Sequence, residues 1–368
     1  MVYSRRDFFK LCGATGIAAV AATGMIGCSS SSDSSSSSSS NDGKVEQSTV
    51  KWNYGTSGNV LVVIAEEKGY FKDEGITIEK VEATAVLDAM GLLSSGKADV
   101  ASNAGTSNPL QQISNGVDLT IFGGHMLTGC MPVVGQHGCE WNGIESFVGK
   151  KVAVNPSYFA FTGALMDKGY DKPLEVTDWE IYKDYNDAMA AVIRGDVAYA
   201  LLGTGQTQTA KKMAANGELD IVCYQSDIME NYSCCRMVAQ SSWVKNNPNT
   251  VTAINRALIR AQQWYESNKQ ESVKLLATAI GADEDYVSAF MLDEHYRVHV
   301  DPLKKGVEKA WDILGKTNYL KENNGINIDD HINTELYKKA LDDCKSKYGK
   351  DAEAFYKSME EFYNKYDA

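Results

Sequence analysis

Short apolar runs alternate with helical patterns along this chain, and the alternation occurs twice. It extends from about residue 50 to 125 and again from about 140 to 230. Strands separated by helices pair in parallel, because a helix-length crossover returns the chain to the same end of the sheet. We therefore expect an α/β fold with two such units, followed by a mostly helical part after an initial strand near residue 235.

Four turns between a predicted strand and the next helix share a composition of glycine, hydroxyl and amide side chains. In open α/β sheets such turns lie beyond the carboxyl ends of the strands, where ligands bind, and the next helix directs unpaired N–H groups towards them. Ordinary helix capping, with Asn59, Asn108 and Ser157 as the predicted N-caps, explains any single turn better, but four turns divided between two units favour a shared cleft. The turns are residues 55–59, 103–108, 155–158 and 203–206.

The first 28 residues have the pattern of an export signal. Arg5 and Arg6 precede an apolar stretch, residues 11–27, that is short and weakly hydrophobic for a membrane-spanning helix. Residues 4–10, SRRDFFK, resemble the twin-arginine export motif, and residues 25–28, MIGC, resemble a bacterial lipobox. We predict a signal peptide over residues 1–27 and lipid attachment at Cys28, with an uncleaved membrane anchor as the alternative.

Residues 28–49 are predicted to be a flexible tether. Residues 29–40 contain eleven serines and one aspartate, which cannot bury enough apolar surface to fold. The chain beyond this segment is long enough for two domains. The acyl chains on Cys28 would hold the protein at the membrane while the tether lets the folded body move. We expect an extracytoplasmic location.

Charge and cysteine content narrow the possible partners. The formal net charge is −12, and no basic cluster is present, so we exclude nucleic acid as a partner.

An even number of cysteines outside the cytoplasm permits disulfides, and burial as small apolar side chains is an equal alternative. The sequence leaves the pairing open, although a bridge between neighbours would be strained. The cysteines after Cys28 are Cys130, Cys139, Cys223, Cys234, Cys235 and Cys344.

The sequence motifs typical of catalytic and metal-binding sites are absent or incomplete in this chain. The sequence contains no C-x-x-C motif and no nucleophile elbow. His295 and His299 are four residues apart beside Glu294, but the HExxH order is absent. We therefore expect no metal site, no cofactor and no catalytic residue.

Three segments resemble a known family. Residues 64–76 (IAEEKGYFKDEGI) resemble its A-x-x-K-G-Y-F-x-x-E-G-I opening, and residues 93–101 (LSSGKADVA) resemble its L-x-x-G-x-x-D segment. Residues 147–154 (FVGKKVAV) resemble the L-x-G-K-x-V-x-V entry to its second domain, with Phe147 in place of leucine. The family is that of the solute-binding lipoproteins of bacterial ABC importers of the nitrate/sulfonate/taurine and thiamine-precursor-like type.

The resemblance implies a two-lobed periplasmic-binding-protein-like fold. Two doubly wound α/β domains would be joined by crossover hinge strands, with a helical C-terminal extension. Lobe 1 would comprise residues 50–125 and 232–368, and lobe 2 residues 126–231. The implied function is capture of a small polar organic molecule or anion by hinge closure, and its delivery by a monomer to an ABC permease and its ATPase.

The turns and the resemblance together predict the residues that contact the solute. His125 lies near the first crossover, either as a pocket or hinge residue or as a satisfied turn histidine, and Arg236 matches an arginine that anion-binding members add. The turns carry no charged residue, which favours a neutral or weakly anionic solute, and nearby aromatic residues leave room for a ring. The predicted set is Thr56, Ser57, Asn59, Asn103, Thr106, Ser107, His125, Ser157, Tyr158, Thr204, Gln206 and Arg236.

Two other functions remain open at this point. The same fold family includes a fungal thiamine-pyrimidine synthase, whose cysteine-rich motif is matched here only by Cys234-Cys235-Arg236. A subunit that presents a bound solute to a membrane receptor is the second alternative.

Overall fold

Two β-sheets organise the chain. A computed structural model describes residues 43–55, 58–83, 88–321 and 325–368, and residues 43–368 belong to one compact unit. The strands within these described ranges are β1 Thr49–Asn53, β2 Thr77–Lys80, β3 Val100–Ala101, β4 Leu119–Gly129, β5 Pro132–Gln136, β6 Lys151–Ala153, β7 Asp178–Trp179, β8 Tyr199–Leu201, β9 Leu219–Tyr224, β10 Cys235–Gln240 and β11 Tyr296–Val298.

Helices follow most of these strands and dominate the C-terminal third of the described chain. Short 3₁₀ helices occur at Ile144–Phe147, Thr204–Gln206 and Ile328–His331. The α-helices are α1 Val60–Glu67, α2 Tyr70–Asp73, α3 Ala89–Ser94, α4 Ser107–Ser114, α5 Phe159–Asp167, α6 Pro173–Val176, α7 Tyr185–Arg194, α8 Thr207–Ala215, α9 Gln225–Ile228, α10 Ser241–Asn246, α11 Pro248–Ser267, α12 Lys269–Ile280, α13 Glu284–Met291, α14 Lys304–Lys316, α15 Glu335–Tyr348 and α16 Glu353–Tyr366.

The first sheet has the strand order β11-β4-β10-β3-β1-β2. Its β1 pairs in parallel with β2 and β3, as the alternation of strands and helices predicts. Strand β4 runs in the same direction as these three strands, as expected, but the antiparallel β10 lies between β3 and β4, and β11 pairs antiparallel with the other side of β4. All eleven residues of β4 are buried, so this strand is a central one that leads the chain out of the first sheet.

The second sheet repeats this arrangement with the order β7-β6-β8-β5-β9. Its β6 is parallel to β7 and β8, whereas β5 is antiparallel to β8 and β9. The sequence analysis identified neither β5 nor β11. Both lie outside the two stretches, residues 50–125 and 140–230, in which strands and helices alternate, so that alternation gives no signal for them.

Two crossings connect the sheets, one between β4 and β5 and one between α9 and β10. Three residues in these crossings have left-handed backbone angles although none is glycine: Cys130 (φ 51°), Asn231 (φ 51°) and Ser233 (φ 55°). This conformation is uncommon for residues with a Cβ atom.

The two sheets and the two crossings between them confirm the expected α/β class with two sheet units and crossover strands.

Helix starts differ in part from the sequence predictions. Asn59 caps α1 as expected, since its Oδ1 accepts from the N–H groups of Leu61 and Val62. Asn108 does not cap α4, which begins at Ser107 after Thr106; instead its side-chain amide donates to the carbonyl of Ala104. Ser157 does not cap α5 either, because that helix begins at Phe159 with Tyr158 at its N-cap position.

The C-terminal helices contact both sheet units. Helix α11 packs against α1 and α15, and α14 packs against α4 and α5. One hydrophobic cluster accordingly contains Leu110 of α4, Val133 of β5 and Ile313 of α14. The predicted lobe boundaries at residues 125/126 and 231/232 remain a prediction. No helix in the described ranges has both the length and the apolar character needed to cross a bilayer.

Candidate functional site

A cleft of about 470 Å³ lies where polar turns of the two sheets meet. The turn after β3, residues 103–108, forms one wall. The turns after β6 and β8, near residues 155–158 and 203–206, form the opposite wall. The crossings between the sheets line the cleft as well. Three of the four predicted turns, one from the first unit and two from the second, therefore meet at this cleft.

The structure brings seven of the predicted site residues together at this cleft and places three others behind it. Asn59, His125 and Arg236 are buried and are not among the lining residues. Thr56, Ser57 and the predicted lipid-attachment residue Cys28 lie outside the described residues. The seven lining residues are Asn103, Thr106, Ser107, Ser157, Tyr158, Thr204 and Gln206.

The first wall is held together by bonds from side chains to backbone carbonyls. The Asn103 amide Nδ2 donates to the carbonyls of Tyr54 (2.9 Å) and Gly58 (2.6 Å), which fixes the turn between β1 and α1 against the turn after β3. The Thr106 hydroxyl donates to the carbonyl of Ser233 in the second crossing. These bonds connect the first wall to its surroundings.

His125 supports this wall from the interior. Its Nδ1 lies 2.5 Å from Asn103 Oδ1. Because the Asn103 nitrogen already donates to two carbonyls, its oxygen must be the acceptor, and this assigns the proton of His125 to Nδ1. Burial, together with the charge of Arg236, lowers the pKa of His125 to about 3, so the ring is neutral. His125 therefore positions Asn103.

Asn59 and Arg236 also have structural partners. Asn59 Nδ2 donates to Ser102 Oγ at 3.1 Å while its oxygen caps α1. Arg236 donates to the carbonyls of Asp301 and Met126, at 2.6 Å each. Burial lowers the pKa of Arg236. The guanidinium group thus joins β4, β10 and the segment after β11, and it lies behind the cleft.

The second wall carries aromatic hydroxyl groups. The hydroxyl groups of Tyr158 and Tyr185 are hydrogen-bonded to each other, and burial raises the pKa of both. The Thr204 hydroxyl donates to the carbonyl of Gly129. One hydrogen bond joins the walls directly: Ser107 Oγ donates to the carbonyl of Ser157 at 2.6 Å.

Several lining residues were missed by the sequence analysis. Tyr185, Tyr232 and Tyr319 line the cleft, as do Met126 of β4 and Met131 of the first crossing. Tyr232 stacks on Phe159 with ring centroids 4.4 Å apart. A signal was available only for Tyr185, which directly follows the capping residue Asp184 of α7. The other residues lie in segments without a strand-to-helix turn.

A family model identifies the group of proteins to which this chain is related. The model described as NMT1/THI5 like matches residues 59–272, which is more than half of the chain. The chain belongs to the NMT1/THI5-like family. No curated protein sequence matches it significantly.

Several solved structures of similar fold are solute-binding proteins. The aliphatic sulphonate binding protein SsuA of Escherichia coli is 18% identical, with a TM-score of 0.62, over 78% of this chain and 92% of that one. The nitrate-binding protein NrtA of Synechocystis PCC 6803 is 17% identical, with a TM-score of 0.59, over 81% and 89%. The desulfurization enzyme DSZB is 15% identical, with a TM-score of 0.54, over 81% and 99%. These likenesses confirm the periplasmic-binding-protein fold.

The cleft of this NMT1/THI5-like chain contains polar but uncharged side chains. Among the described lining residues there is no lysine, arginine, aspartate, glutamate or histidine. Within the same described ranges no group of three or more His, Cys, Asp or Glu side chains could hold a metal ion. The cleft therefore offers hydroxyl, amide and backbone groups and the side chains of four tyrosines.

Proposed function

We propose that this chain is the extracytoplasmic solute-binding component of an ABC importer, which captures a small polar molecule in the cleft and delivers it to a permease. The observation that carries the proposal is a single cleft lined by turns of both sheets. Membership in the NMT1/THI5-like family supports it, as does the fold shared with the sulphonate-binding and nitrate-binding proteins. No observation at the cleft favours the enzyme or the receptor alternative over import.

Capture would use hinge closure between residues 50–125 plus 232–368 and residues 126–231. A solute that contacts both walls stabilises the arrangement in which the walls are close, because it gains contacts only there. The bond between Ser107 and Ser157 joins the walls in this arrangement. The ion pair between Lys211 of α8 and Asp293 after α13, 2.6 Å long, also links the second unit to the C-terminal helices.

The chemistry of the lining narrows the solute class. A permanent charge would have to be balanced in the cleft by an opposite charge or by several hydrogen bonds, and the described lining supplies only the latter. Tyrosine faces suit a planar ring, and about 470 Å³ accommodates a single-ring molecule. We infer an uncharged or weakly anionic ring compound, of the pyrimidine type, in preference to nitrate or a sulfonate.

A melting screen tests solute binding. The full chain carrying Cys28→Ala, which prevents lipidation, is heated with nitrate, sulfonates, pyrimidines, flavins and carboxylates. A ligand that binds only the folded protein stabilises it by about 2.7 kcal/mol at 100 times its Kd, so a true solute raises the Tm. We expect a pyrimidine-type compound to give the largest shift. A folded sample that responds to none of the classes would count heavily against transport.

Membrane retention and uptake test the remaining parts of the proposal. Cys28→Ala should move the exported protein from the membrane fraction to the soluble fraction, because acyl chains at Cys28 provide the predicted anchor. Cells without the chain should lose uptake of the solute found in the screen. Retention of the variant on membranes contradicts the anchor. Unchanged uptake, with loss of a cellular response to the solute, would favour the receptor alternative.

A further inference from the structure

Two adjacent thiols lie in the wall of the cleft. Cys234 and Cys235 are both lining residues, and their Sγ atoms are 3.8 Å apart. Neither forms a disulfide with another described cysteine. The proposed solute binding gives these thiols no role, although they lie where the second crossing enters β10.

The backbone around the pair is held on both sides. The Cys234 N–H donates to the carbonyl of Leu127, and the Cys234 carbonyl accepts from the N–H of Thr106, both at 3.0 Å. Ser233, directly before the pair, has a left-handed φ of 55°. These constraints hold both residues in the wall of the cleft.

The surroundings make one of the two thiols the better nucleophile. The hydrogen bond with Cys234 lowers the pKa of Cys235, and the Gly105 N–H and the Arg236 guanidinium act in the same direction against the effect of burial. The same hydrogen bond raises the pKa of Cys234. The lower pKa favours Cys235 as the attacking thiol, and Cys234, at 3.8 Å, is placed to act as the resolving thiol in thiol–disulfide exchange.

We propose that Cys234 and Cys235 form a dithiol site that reacts with small disulfides entering the cleft and closes into a ring disulfide. The Cys235 thiolate attacks one sulfur of the small disulfide, which forms a mixed disulfide and releases one thiolate. Cys234 loses its proton, and its sulfur attacks Cys235 Sγ and expels the second thiolate. Two thiols are oxidised to one disulfide while the small disulfide is reduced to two thiols.

Ring closure changes the cleft wall. The two Sγ atoms must approach from 3.8 Å to the bond length of about 2.05 Å. The Cα atoms of neighbouring residues are closer than disulfides normally require, so the bond is strained and readily reduced again. The site would thus exist in a reduced and an oxidised form.

Mass spectrometry of the full chain tests the site without any solute. The reduced, folded protein is incubated with hydroxyethyl disulfide, the remaining thiols are alkylated, and the peptide containing residues 234 and 235 is analysed. We expect this peptide to lose two hydrogen atoms and to take up no alkylating agent, and a mild dithiol reductant should reverse both changes. Because no solute is involved, the result is independent of the proposed function.

Single variants distinguish formation of the ring disulfide from mere accessibility of the thiols. Cys234→Ser leaves Cys235 without a resolving thiol, so it should retain half of the reagent as a mixed disulfide; Cys235→Ser should react more slowly. Cys139→Ser, at a half-buried thiol away from the cleft, should close the ring as the natural chain does. A natural chain that keeps a stable mixed disulfide, or that leaves both thiols open to alkylation, overturns the proposal even if the variants do not fold.

Discussion

The two walls of the cleft use their polar side chains in different ways. In the first wall, Asn103, Thr106 and Ser107 donate to backbone carbonyls of other segments. In the second wall, Thr204 makes one such bond, but the hydroxyl groups of Tyr158 and Tyr185 bond to each other. A side chain that holds two backbone segments together cannot move without a loss of stability, whereas a hydroxyl pair can exchange one partner for a solute. We infer that the first wall is a rigid frame and the second wall is where recognition is adjusted.

The residues that pack behind the two walls also differ. The first wall rests on buried polar residues, namely the neutral ring of His125 and the Arg236 guanidinium group. The second wall rests on aromatic packing, such as the stacking of Tyr232 on Phe159. Changes in the first wall should therefore act mainly on the stability of the protein, and changes in the second mainly on solute affinity.

The largest effect is expected when the frame loses its central amide. Asn103→Ala removes the bonds to Tyr54 and Gly58 and leaves the His125 N–H without its acceptor. Such losses should lower the free energy of unfolding by about 3 kcal/mol, measured by urea denaturation. The control is Asn108→Ala, at an exposed amide of the same turn that makes one local bond, with an expected loss below about 0.5 kcal/mol. Equal losses in both variants would contradict a frame built on Asn103.

A second effect concerns acid. The pKa of His125 is lowered to about 3 in the folded protein. As the pH falls, this histidine therefore takes up a proton near pH 6.5 in the unfolded chain but only near pH 3 in the folded chain. Stability is therefore full above about pH 6.5 and falls as the pH is lowered, by about 1.4 kcal/mol per pH unit for this group. His125→Gln, which keeps a donor for Asn103, should reduce the slope by that amount.

The slope is measured by denaturant titrations between pH 6.5 and 5. His299, whose pKa burial also lowers to about 3, provides the comparison, since His299→Gln should reduce the slope to a similar extent. A slope that is unchanged in His125→Gln would show that the ring accepts a proton in the folded protein, and the positioning role would then be wrong.

The third prediction concerns solute affinity, which should depend on the hydroxyl pair of the second wall. Tyr158→Phe removes one hydroxyl group from the pair with Tyr185 and keeps the ring. We expect solute affinity to fall about fivefold, the equivalent of one hydrogen bond of about 1 kcal/mol, with little change in stability. Calorimetry with the compound found in the melting screen provides the measurement. The control is Tyr199→Phe in β8 of the second sheet. It removes a hydroxyl bonded to the carbonyl of Glu140 and should leave solute affinity unchanged.

The smallest effect belongs to the bond between the walls. Ser107→Ala removes the donor to the Ser157 carbonyl, which should weaken the closed arrangement by about 0.5 to 1 kcal/mol and solute affinity by two- to fivefold. Ser114→Ala removes a hydroxyl from the other end of α4, where it bonds to Gln111, and should leave affinity unchanged. If Ser114→Ala weakens binding as much as Ser107→Ala does, the contact between the walls has no specific role.

Local features of the sequence allowed much of the fold to be predicted. The alternation of strands and helices revealed the parallel strands β1–β3 and β6–β8, and Asn59 was identified as the cap of α1. The composition of the turns indicated a cleft with uncharged walls. These properties depend on residues a few positions apart, whose spacing fixes which side chains share a face and which backbone groups need a cap.

The tertiary structure alone decided which polar residues line the cleft and which lie behind it. Tyr319, Tyr232 and Cys234 reach the cleft from segments far apart in the chain, while His125 and Arg236, which the sequence placed there, turn towards the interior. The antiparallel positions of β10 and β5 among parallel strands were equally hidden. Such choices depend on how strands far apart in the chain pair and on which buried groups find partners, and no local pattern carries that information.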